Sequence, residues 1–190
     1  MKSTDTPGNE GTTARDASPA RVLWLMGPTS AGKTTLARAL ERHLRSLGQR
    51  PVIHWDGDQI RDMFGADLGF SSDSRLQVVR ALAEVAKATS SAGIFTIVSA
   101  LTAHDDARDL IRKMLPKLYV CYIHCPIDLC MERDPKGLYR KAIDGEIDTL
   151  IGYNSAYQPP ECPDLEIDTS SRDIEDGVRE IIAFLDTRGF

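Results

Sequence analysis

Short apolar runs alternate with amphipathic stretches along most of this chain. Each apolar run has the length of a strand, and together they predict strands over 22–26, 51–56, 94–100, 118–124 and 165–168. Between them, apolar residues recur every three or four positions, which predicts helices over about 35–48, 73–91, 105–114, 126–132 and 174–185. Strands that alternate with helices predict an α/β fold with a central parallel sheet and right-handed crossovers.

Three stretches depart from this pattern. Residues 1–19 hold almost no large apolar side chains, so we expect a disordered N-terminal tail ahead of one folded domain over 20–190. Residues 59–70 predict a short helix followed by an irregular segment. Residues 133–163 are basic at first and then rich in Gly, Tyr and Pro, with weak periodicity. Because so long a loop in a compact domain is usually functional, we interpret 133–163 as a lid.

Residues 27–34 read Gly-Pro-Thr-Ser-Ala-Gly-Lys-Thr and fit G-x-x-x-x-G-K-[ST], the phosphate-binding loop. They follow the apolar run 22–26 and lead into a helix near Thr35, a context that a chance match lacks. Glycines let backbone N–H groups turn toward an anion, and the helix N-terminus adds a positive dipole. Lys33 can reach the β- and γ-phosphates, and the Thr34 hydroxyl can bind Mg²⁺. The motif predicts nucleoside triphosphate binding with phosphoryl transfer or hydrolysis, without identifying the acceptor.

A second group of polar residues, Asp56-Gly57-Asp58 followed by Arg61, comes at the end of the run 51–56. That edge of an open α/β sheet is where ligands bind. Phosphoryl transfer needs a carboxylate to hold hydrated Mg²⁺ or to accept the proton of the attacking hydroxyl, and either aspartate could do either task. Arg61 could bind an anionic acceptor. The alternative is a solvated turn with a helix-capping Asp, which explains one aspartate better than two.

Two further arginines and a phenylalanine follow this group. Phe70, in a polar and glycine-flanked loop, could stack on a base, although a core anchor is the simpler interpretation. Arg75 and Arg80 are five positions apart and would point about 140° apart on a helix. They can face one ligand together only if the helix starts after Arg75.

The start of the predicted lid carries a cluster of cations. They are either a solvated helix surface or a cover that neutralises charge on the transferring phosphoryl group. The members are Arg133, Lys136, Arg140 and Lys141.

Composition narrows the classes of partner. The net charge is −5, and no basic stripe with interleaved aromatics is present, so we expect no nucleic-acid binding. No apolar run approaches the roughly 18–20 residues of a membrane span. The polar, acid-containing N-terminus lacks the pattern of a signal or transit peptide, and the cysteines are best explained as reduced, buried thiols. We therefore expect a cytoplasmic protein that acts on small molecules.

Together these motifs resemble the adenylylsulfate kinase family, over nearly the whole chain from about Val22. That family has, in this order, the phosphate loop, D-G-D-x-x-R, L-G-F-S, an R-D-P-K-G-L-Y lid and a G-E-I segment. Residues 133–139 are the most specific match. The resemblance implies a three-layer P-loop kinase fold with a central parallel sheet, helices on both faces and a lid. It also implies the reaction of ATP with adenylylsulfate to give 3′-phosphoadenylylsulfate and ADP, with Mg²⁺, in a possible homodimer.

The resemblance also implies a set of site residues. Catalysis would use Lys33, Asp56 and Asp58, and Mg²⁺ would be held by Thr34 and Asp56. ATP would be bound by the loop and by Arg133 against the adenine, that is by Gly27, Thr29, Ser30, Ala31, Gly32, Lys33, Thr34, Thr35 and Arg133. The acceptor would be bound by Asp58, Arg61, Phe70, Arg75, Lys136 and Leu138.

Three segments depart from the family pattern, all on the acceptor side. Val78 stands where the family usually has Asn, and Arg80 and Ala81 stand where it has paired arginines. Residues 101–104 read L-T-A-H instead of I-S-P-[YF], and 150–154 read L-I-G-Y-N instead of F-T-G-I-D. Each lost polar or stacking contact weakens acceptor binding by about 1–3 kcal/mol.

Two alternatives to adenylylsulfate phosphorylation therefore stay open. One is a kinase of the same fold that acts on another small hydroxyl or phosphoramidate acceptor, including a nucleotide-linked one. The other is a nucleotide-sensing module without phosphoryl transfer. The second alternative would fit better if Lys33, Asp56 or Asp58 were missing, and all three are present.

Overall fold

The computed structural model of the chain describes residues 20–65 and 71–189. In these residues five parallel strands form one sheet in the order β2-β3-β1-β4-β5. The predicted parallel α/β architecture is confirmed, and β2 and β3 each begin one residue later than the sequence suggested. The strands are β1 Val22–Met26, β2 Val52–Asp56, β3 Phe95–Ala100, β4 Leu118–His124 and β5 Leu165–Asp168.

Helices connect the strands on both faces of the sheet. Their bounds are α1 Lys33–Leu47, α2 Gly57–Phe64, α3 Ser72–Ser91, α4 Asp105–Met114, α5 Ile127–Arg133, α6 Leu138–Ile143 and α7 Ile174–Thr187. No helix among the described residues is long and apolar enough to cross a membrane. The tail expected over 1–19 and the position of Phe70 both lie outside the described residues.

Helix starts differ from the sequence-based expectation at two places. Helix α1 begins at Lys33 rather than near Thr35, because Gly32 adopts a left-handed conformation (φ 93°) just before it. Helix α3 begins at Ser72, earlier than a cap at Asp73 or Ser74 would allow. Its N-cap is Ser71, whose hydroxyl oxygen accepts a hydrogen bond from the Ser74 backbone N–H at 3.2 Å.

The central strand β1 divides the interior into two cores. Leu23 and Leu25 face the core formed with α1 and α7. Val22, Trp24 and Met26 face the core formed with α3 and α4. All five side chains are buried, and burying each stabilises the fold by about 1.5–3 kcal/mol. The strict alternation along β1 is therefore what places helices on both sides of the sheet.

The order of the strands determines where a ligand can bind. Strand β1 pairs with β3 on one side and with β4 on the other, so the direction of winding reverses at β1. The crevice outside the carboxyl ends of the strands at such a point is the usual ligand site of open α/β sheets. Gly27 opens this crevice, since a Cβ there would lie 2.4 Å from the Ile123 carbonyl oxygen. Only glycine lets the chain leave β1 so close to β4.

The predicted lid contains more regular structure than the sequence suggested. Helix α6 lies within 133–163, where the weak periodicity had indicated a loop. Tyr139 on α6 is only 1% exposed and donates its hydroxyl proton to the Thr29 carbonyl oxygen at 3.2 Å. Six residues are too few to show a helical period, and the buried Tyr139 side chain fixes α6 against the phosphate loop.

Candidate active site

A cavity of about 880 Å³ lies at the carboxyl edge of the sheet, and it collects most of the residues that the sequence singled out. Gly27 and Ala31 belong to the loop but do not line the cavity, and Ala31 is fully buried behind it. Phe70 lies outside the described residues. The predicted site residues that line the cavity are Thr29, Ser30, Gly32, Lys33, Thr34, Thr35, Asp56, Asp58, Arg61, Arg75, Arg133, Lys136 and Leu138.

The phosphate loop combines an unusual backbone conformation with an unpaired side-chain hydroxyl. Ser30 adopts a positive φ of 64°, unusual for a residue other than glycine, and Gly32 follows with φ 93°. The Ser30 hydroxyl is buried and has no hydrogen-bond partner in the described part of the chain. Because buried polar groups are nearly always paired, a loop with an unpaired hydroxyl fits a ligand that would complete it. The Lys33 ammonium donates to the Pro28 carbonyl oxygen at 2.6 Å across the loop.

The surroundings of Lys33 disfavour its charged form. Burial lowers the pKa of the Lys33 ammonium to about 8, although the nearby Asp58 carboxylate opposes the shift. The ammonium of Lys136 lowers the pKa of Lys33 further. A polyanionic ligand in the cavity would reverse this effect, because it stabilises the charged form.

Asp56 is the most constrained carboxylate of the site. Its Oδ2 accepts from the hydroxyls of Thr34 and Ser99, each at 2.7 Å, and its Oδ1 accepts from the Asp58 backbone N–H at 2.9 Å. Burial by itself would raise the pKa of Asp56, but these three hydrogen bonds bring it below its ordinary value. Asp56 is therefore an ionised carboxylate with three of its roughly four acceptor positions filled by the protein.

Two of the neighbours of Asp56 are residues that sequence reasoning missed. Ser99 on β3 is the register partner of Asp56, and His54 on β2 contacts the Ser99 hydroxyl at 2.8 Å. The sequence analysis gave neither residue a role in the site. The available signal was the position of His54, two residues before Asp56 and so on the same face of β2.

Asp58 is in a different environment from Asp56. Its side chain is 56% exposed and forms an ion pair with Lys136 from the lid. Such exposed pairs contribute little to stability and exchange readily. The structure therefore distinguishes the two aspartates: Asp56 is fixed beside Thr34, and Asp58 stands at the open side of the cavity.

Two arginines, one from α2 and one from α3, line another part of the cavity wall. Burial lowers the pKa values of both Arg61 and Arg75, and each remains charged. The Arg75 guanidinium donates to the Thr149 carbonyl oxygen of the lid. Because α3 begins before Arg75, Arg75 and Arg80 diverge, and Arg80 is exposed away from the cavity. This wall carries two cations and fits an anionic group.

The three departures from the family pattern have different structural meanings. Val78 and Ala103 line the cavity, and both are buried. Leu150 does not line the cavity and instead packs into the core that contains Tyr139. His104, the N-cap residue of α4, also lines the cavity. Only two of the three departures therefore change the wall of the cavity.

Arg133 lies at the end of the cavity formed with the β5–α7 connection. Its guanidinium donates to the Thr169 carbonyl oxygen at 2.6 Å and contacts the Thr169 hydroxyl at 3.4 Å. Thr169 in turn donates to the Ala31 carbonyl oxygen at 2.9 Å, which joins this end to the phosphate loop. Arg140 and Lys141 are exposed and do not line the cavity, so the predicted cationic cover reduces to Arg133 and Lys136.

Comparison with known proteins gives a consistent result. A sequence model of the family described as Adenylylsulphate kinase matches residues 19–168. The adenylyl-sulfate kinase of Clostridium acetobutylicum is 41% identical over 165 residues, which cover 86% of this chain and 82% of that protein. A probable adenylyl-sulfate kinase of Archaeoglobus fulgidus is 43% identical over 152 residues, covering 80% of this chain and 97% of the relative.

A solved structure agrees with the sequence relatives. The APS kinase of Mycobacterium tuberculosis, in complex with AMPPNP and APS, superposes with a TM-score of 0.83 at 34% sequence identity. The superposition covers 88% of this chain and 98% of that one. The likeness thus extends over the described fold and includes the segments that form the cavity.

Proposed function

The chain belongs to the adenylylsulphate kinase family, and we propose that it transfers the γ-phosphoryl group of ATP to the 3′-hydroxyl of adenylylsulfate. The products are 3′-phosphoadenylylsulfate and ADP. The observation that carries the proposal is a single cavity that joins a phosphate-binding loop, two aspartates and two half-buried arginines. The loop fits a triphosphate donor, and the arginines fit an anionic acceptor.

On the donor side, we propose that Lys33 and the loop amides bind the β- and γ-phosphates. Charge spreads over the phosphoryl oxygens during transfer, and fixed donors in a dry site stabilise it. The unpaired Ser30 hydroxyl supports contact with a phosphate oxygen. Arg133, held by Thr169, offers a flat cation to the adenine ring.

The residues around Thr34 fit Mg²⁺. The Thr34 hydroxyl gives its one proton to Asp56, so its lone pairs are free for a cation. Asp56 is ionised and has one acceptor position left, which suits a water of a hydrated cation. We propose that Thr34 and Asp56 hold the ion, which when bound neutralises phosphate charge.

On the acceptor side, we propose that Asp58 orients or deprotonates the 3′-hydroxyl. Asp58 is the exposed carboxylate of the pair and is not tied into the strand, so it can approach a substrate group. Arg61 and Arg75 would bind the anionic end of the acceptor. Lys136 pairs with Asp58 and, with Leu138, would close the lid side over the reacting groups.

Two broader proposals accompany the reaction. We propose that the protein works in the cytoplasm, which its four free cysteines support because thiols persist in a reducing compartment. We also propose a homodimer as its working form, on family resemblance alone. Neither proposal affects the assignment of the cavity residues.

The test is ADP release from ATP and Mg²⁺ by the purified protein, with and without adenylylsulfate. We expect strong stimulation by adenylylsulfate and a product that carries phosphate at the 3′ position, identified by mass spectrometry and NMR. The variant Lys33→Met is the inactive control. A rate with adenylylsulfate no higher than the background hydrolysis would overturn the proposed acceptor while leaving the donor site intact.

A further inference from the structure

Beside Asp56, buried polar side chains of β2 and β3 form a chain that begins at the cavity, where Ser99 is part of the lining. The Ser99 hydroxyl contacts Asp56 Oδ2 at 2.7 Å, and His54 Nε2 contacts the Ser99 hydroxyl at 2.8 Å. Ser99 is 2% exposed, and the His54 side chain is 5% exposed. His54 does not line the cavity. Three polar groups are thus buried in a row where apolar strand residues would cost less.

The direction of hydrogen bonding in this chain follows from the number of protons. Asp56 Oδ2 accepts the one hydroxyl proton of Ser99, just as it accepts that of Thr34. Ser99 must then accept from His54, which requires a proton on Nε2 of the His54 ring. The chain runs in one direction, from His54 through Ser99 to Asp56.

We propose that His54 is a positioning residue that holds the Ser99 hydroxyl toward Asp56 and so fixes the carboxylate that faces the metal and the phosphates. The proposal rests on the proposed function, because Asp56 matters only if it serves that site. His54 acts through Ser99 and not directly, since its Nε2 lies 4.0 Å from Asp56 Oδ2, beyond hydrogen-bond distance.

The geometry explains why the indirect contact has an effect. Thr34 and Ser99 donate to the same oxygen of Asp56, from the phosphate loop and from β3. If Ser99 turns away, Oδ2 of Asp56 keeps only the Thr34 hydroxyl as a donor, and the Asp58 backbone N–H still holds Oδ1. Oδ2, the oxygen that orients the Thr34 hydroxyl, is then fixed from one side and no longer from two. Partners that orient a metal-linked group in this way typically change affinity or activity by 10–100-fold when removed.

Three substitutions at His54 separate positioning from packing. In His54→Gln the side-chain amide nitrogen can occupy the place of Nε2 and still donate to Ser99. In His54→Asn the amide is one methylene shorter and cannot reach Ser99, and His54→Leu keeps bulk without a donor. We expect kcat to fall about tenfold in the Asn and Leu variants and by less than about threefold in the Gln variant. The KM for adenylylsulfate should change little, because Arg61 and Arg75 are untouched.

A second measurement does not depend on turnover. The affinity for a non-hydrolysable ATP analogue is measured by calorimetry with and without Mg²⁺, and the ratio of the two affinities is compared between variants. We expect His54→Leu to lose most of the Mg²⁺-dependent gain while its affinity without Mg²⁺ stays close to the original. His54→Gln should retain the gain.

A double-mutant cycle tests the path through Ser99. In a Ser99→Ala background, His54→Leu should cause no further loss in kcat or in the Mg²⁺-dependent gain, because the connecting hydroxyl is already gone. Thermal unfolding of every variant identifies any that fails to fold. If His54→Leu or Ser99→Ala is among them, the comparison of His54→Gln with His54→Asn decides the question.

Three results would overturn the proposal: equal loss in His54→Gln and His54→Leu, wild-type values in all the variants, or additive losses in the cycle. The experiment also distinguishes this proposal from the proposed function. If adenylylsulfate does not stimulate ADP release by the wild-type protein, the proposed acceptor is wrong. The Mg²⁺-dependent binding of the ATP analogue needs no acceptor and would still report on His54.

Discussion

We propose that one half of the cavity binds the donor and the other the acceptor, and these donor and acceptor halves are built in different ways. The donor half comes mainly from one continuous segment, 27–35, in which backbone groups and a single lysine form the site. The acceptor half is assembled from side chains on α2, α3, the β3–α4 connection and the lid. Its members include Arg61, Arg75, Val78, Ala103 and Lys136.

This difference explains where the chain departs from its family. A backbone cradle depends on glycines and on one turn, so a substitution at either glycine of the loop would damage it. A wall of side chains from separate elements can change one residue at a time, and each change costs only that residue's contact. Val78 and Ala103 are two such changes, whereas the donor loop matches its motif throughout. The four predictions that follow test this division, from the largest effect to the smallest.

Removing the charge of Asp58 should have the largest effect, a loss of phosphoryl transfer without a loss of ATP binding. We expect Asp58→Asn to lower kcat by about 10²–10³-fold, because the hydroxyl loses its orienting or proton-accepting carboxylate. The affinity for ATP, measured by calorimetry, should change little. The matched control is Asp73→Asn, an exposed carboxylate on α3 outside the cavity, which should leave kcat unchanged. Equal kcat in Asp58→Asn and wild type would remove Asp58 from the mechanism.

Arg75→Gln should raise the KM for the acceptor by about tenfold without changing the KM for ATP. The substitution removes the hydrogen bond from the Arg75 guanidinium to the anionic acceptor. A hydrogen bond to a charged group is worth about 1.5–3 kcal/mol. Arg80→Gln provides the control, since Arg80 lies on the same helix but faces solvent. Steady-state kinetics with each substrate varied in turn decide the matter, and a rise confined to the KM for ATP would contradict the assigned halves.

The pH dependence of nucleotide binding should report on the donor half alone. The pKa of Lys33 is about 8 in the free protein, and bound phosphates would raise it. Above pH 8 the complex therefore holds more protons than the free protein, and affinity falls as pH rises. We expect a several-fold loss between pH 8 and 9, below the limit of about tenfold per pH unit.

Calorimetry in two buffers with different ionisation enthalpies measures the proton taken up by Lys33 on binding. The variant Lys33→Met should bind weakly and show no uptake at pH 8–9. Equal uptake in wild type and Lys33→Met would assign the proton to another group.

Replacing Val78 by Asn, the usual residue of the family, should have the smallest effect. We expect the KM for adenylylsulfate to fall by about threefold, in keeping with one neutral hydrogen bond of roughly 0.5–1.5 kcal/mol. Because position 78 is buried, the new amide is unpaired without the acceptor and should lower the melting temperature. Adenylylsulfate should restore part of that loss. A melting temperature that does not respond to adenylylsulfate would show that position 78 does not face the acceptor.

The donor half was easier to predict from the sequence than the acceptor half. The donor loop, its strand and its helix were predictable, because their signals are local: glycine positions, an apolar run and a lysine at fixed spacing. The five strands were predictable as well, since periodicity encodes which residues are buried. The placement of helices on both faces was implied by the family resemblance. The positions missed were those that depend on neighbours. Helix α6 was missed because six residues show no period, and the start of α3 was misplaced because Ser71 was not considered as its cap.

The sequence by itself determined that this chain forms a parallel α/β fold with a phosphate loop, since burial patterns and glycine positions are properties of consecutive residues. Tertiary structure alone decided which side chains lie around that loop. The sheet register places Ser99 beside Asp56 and within hydrogen-bond distance of His54. Packing of the lid buries Leu150 in the core, whereas Val78 lines the cavity. These contacts join residues that are far apart in the sequence, and a local sequence pattern gives no information on the distance between such residues.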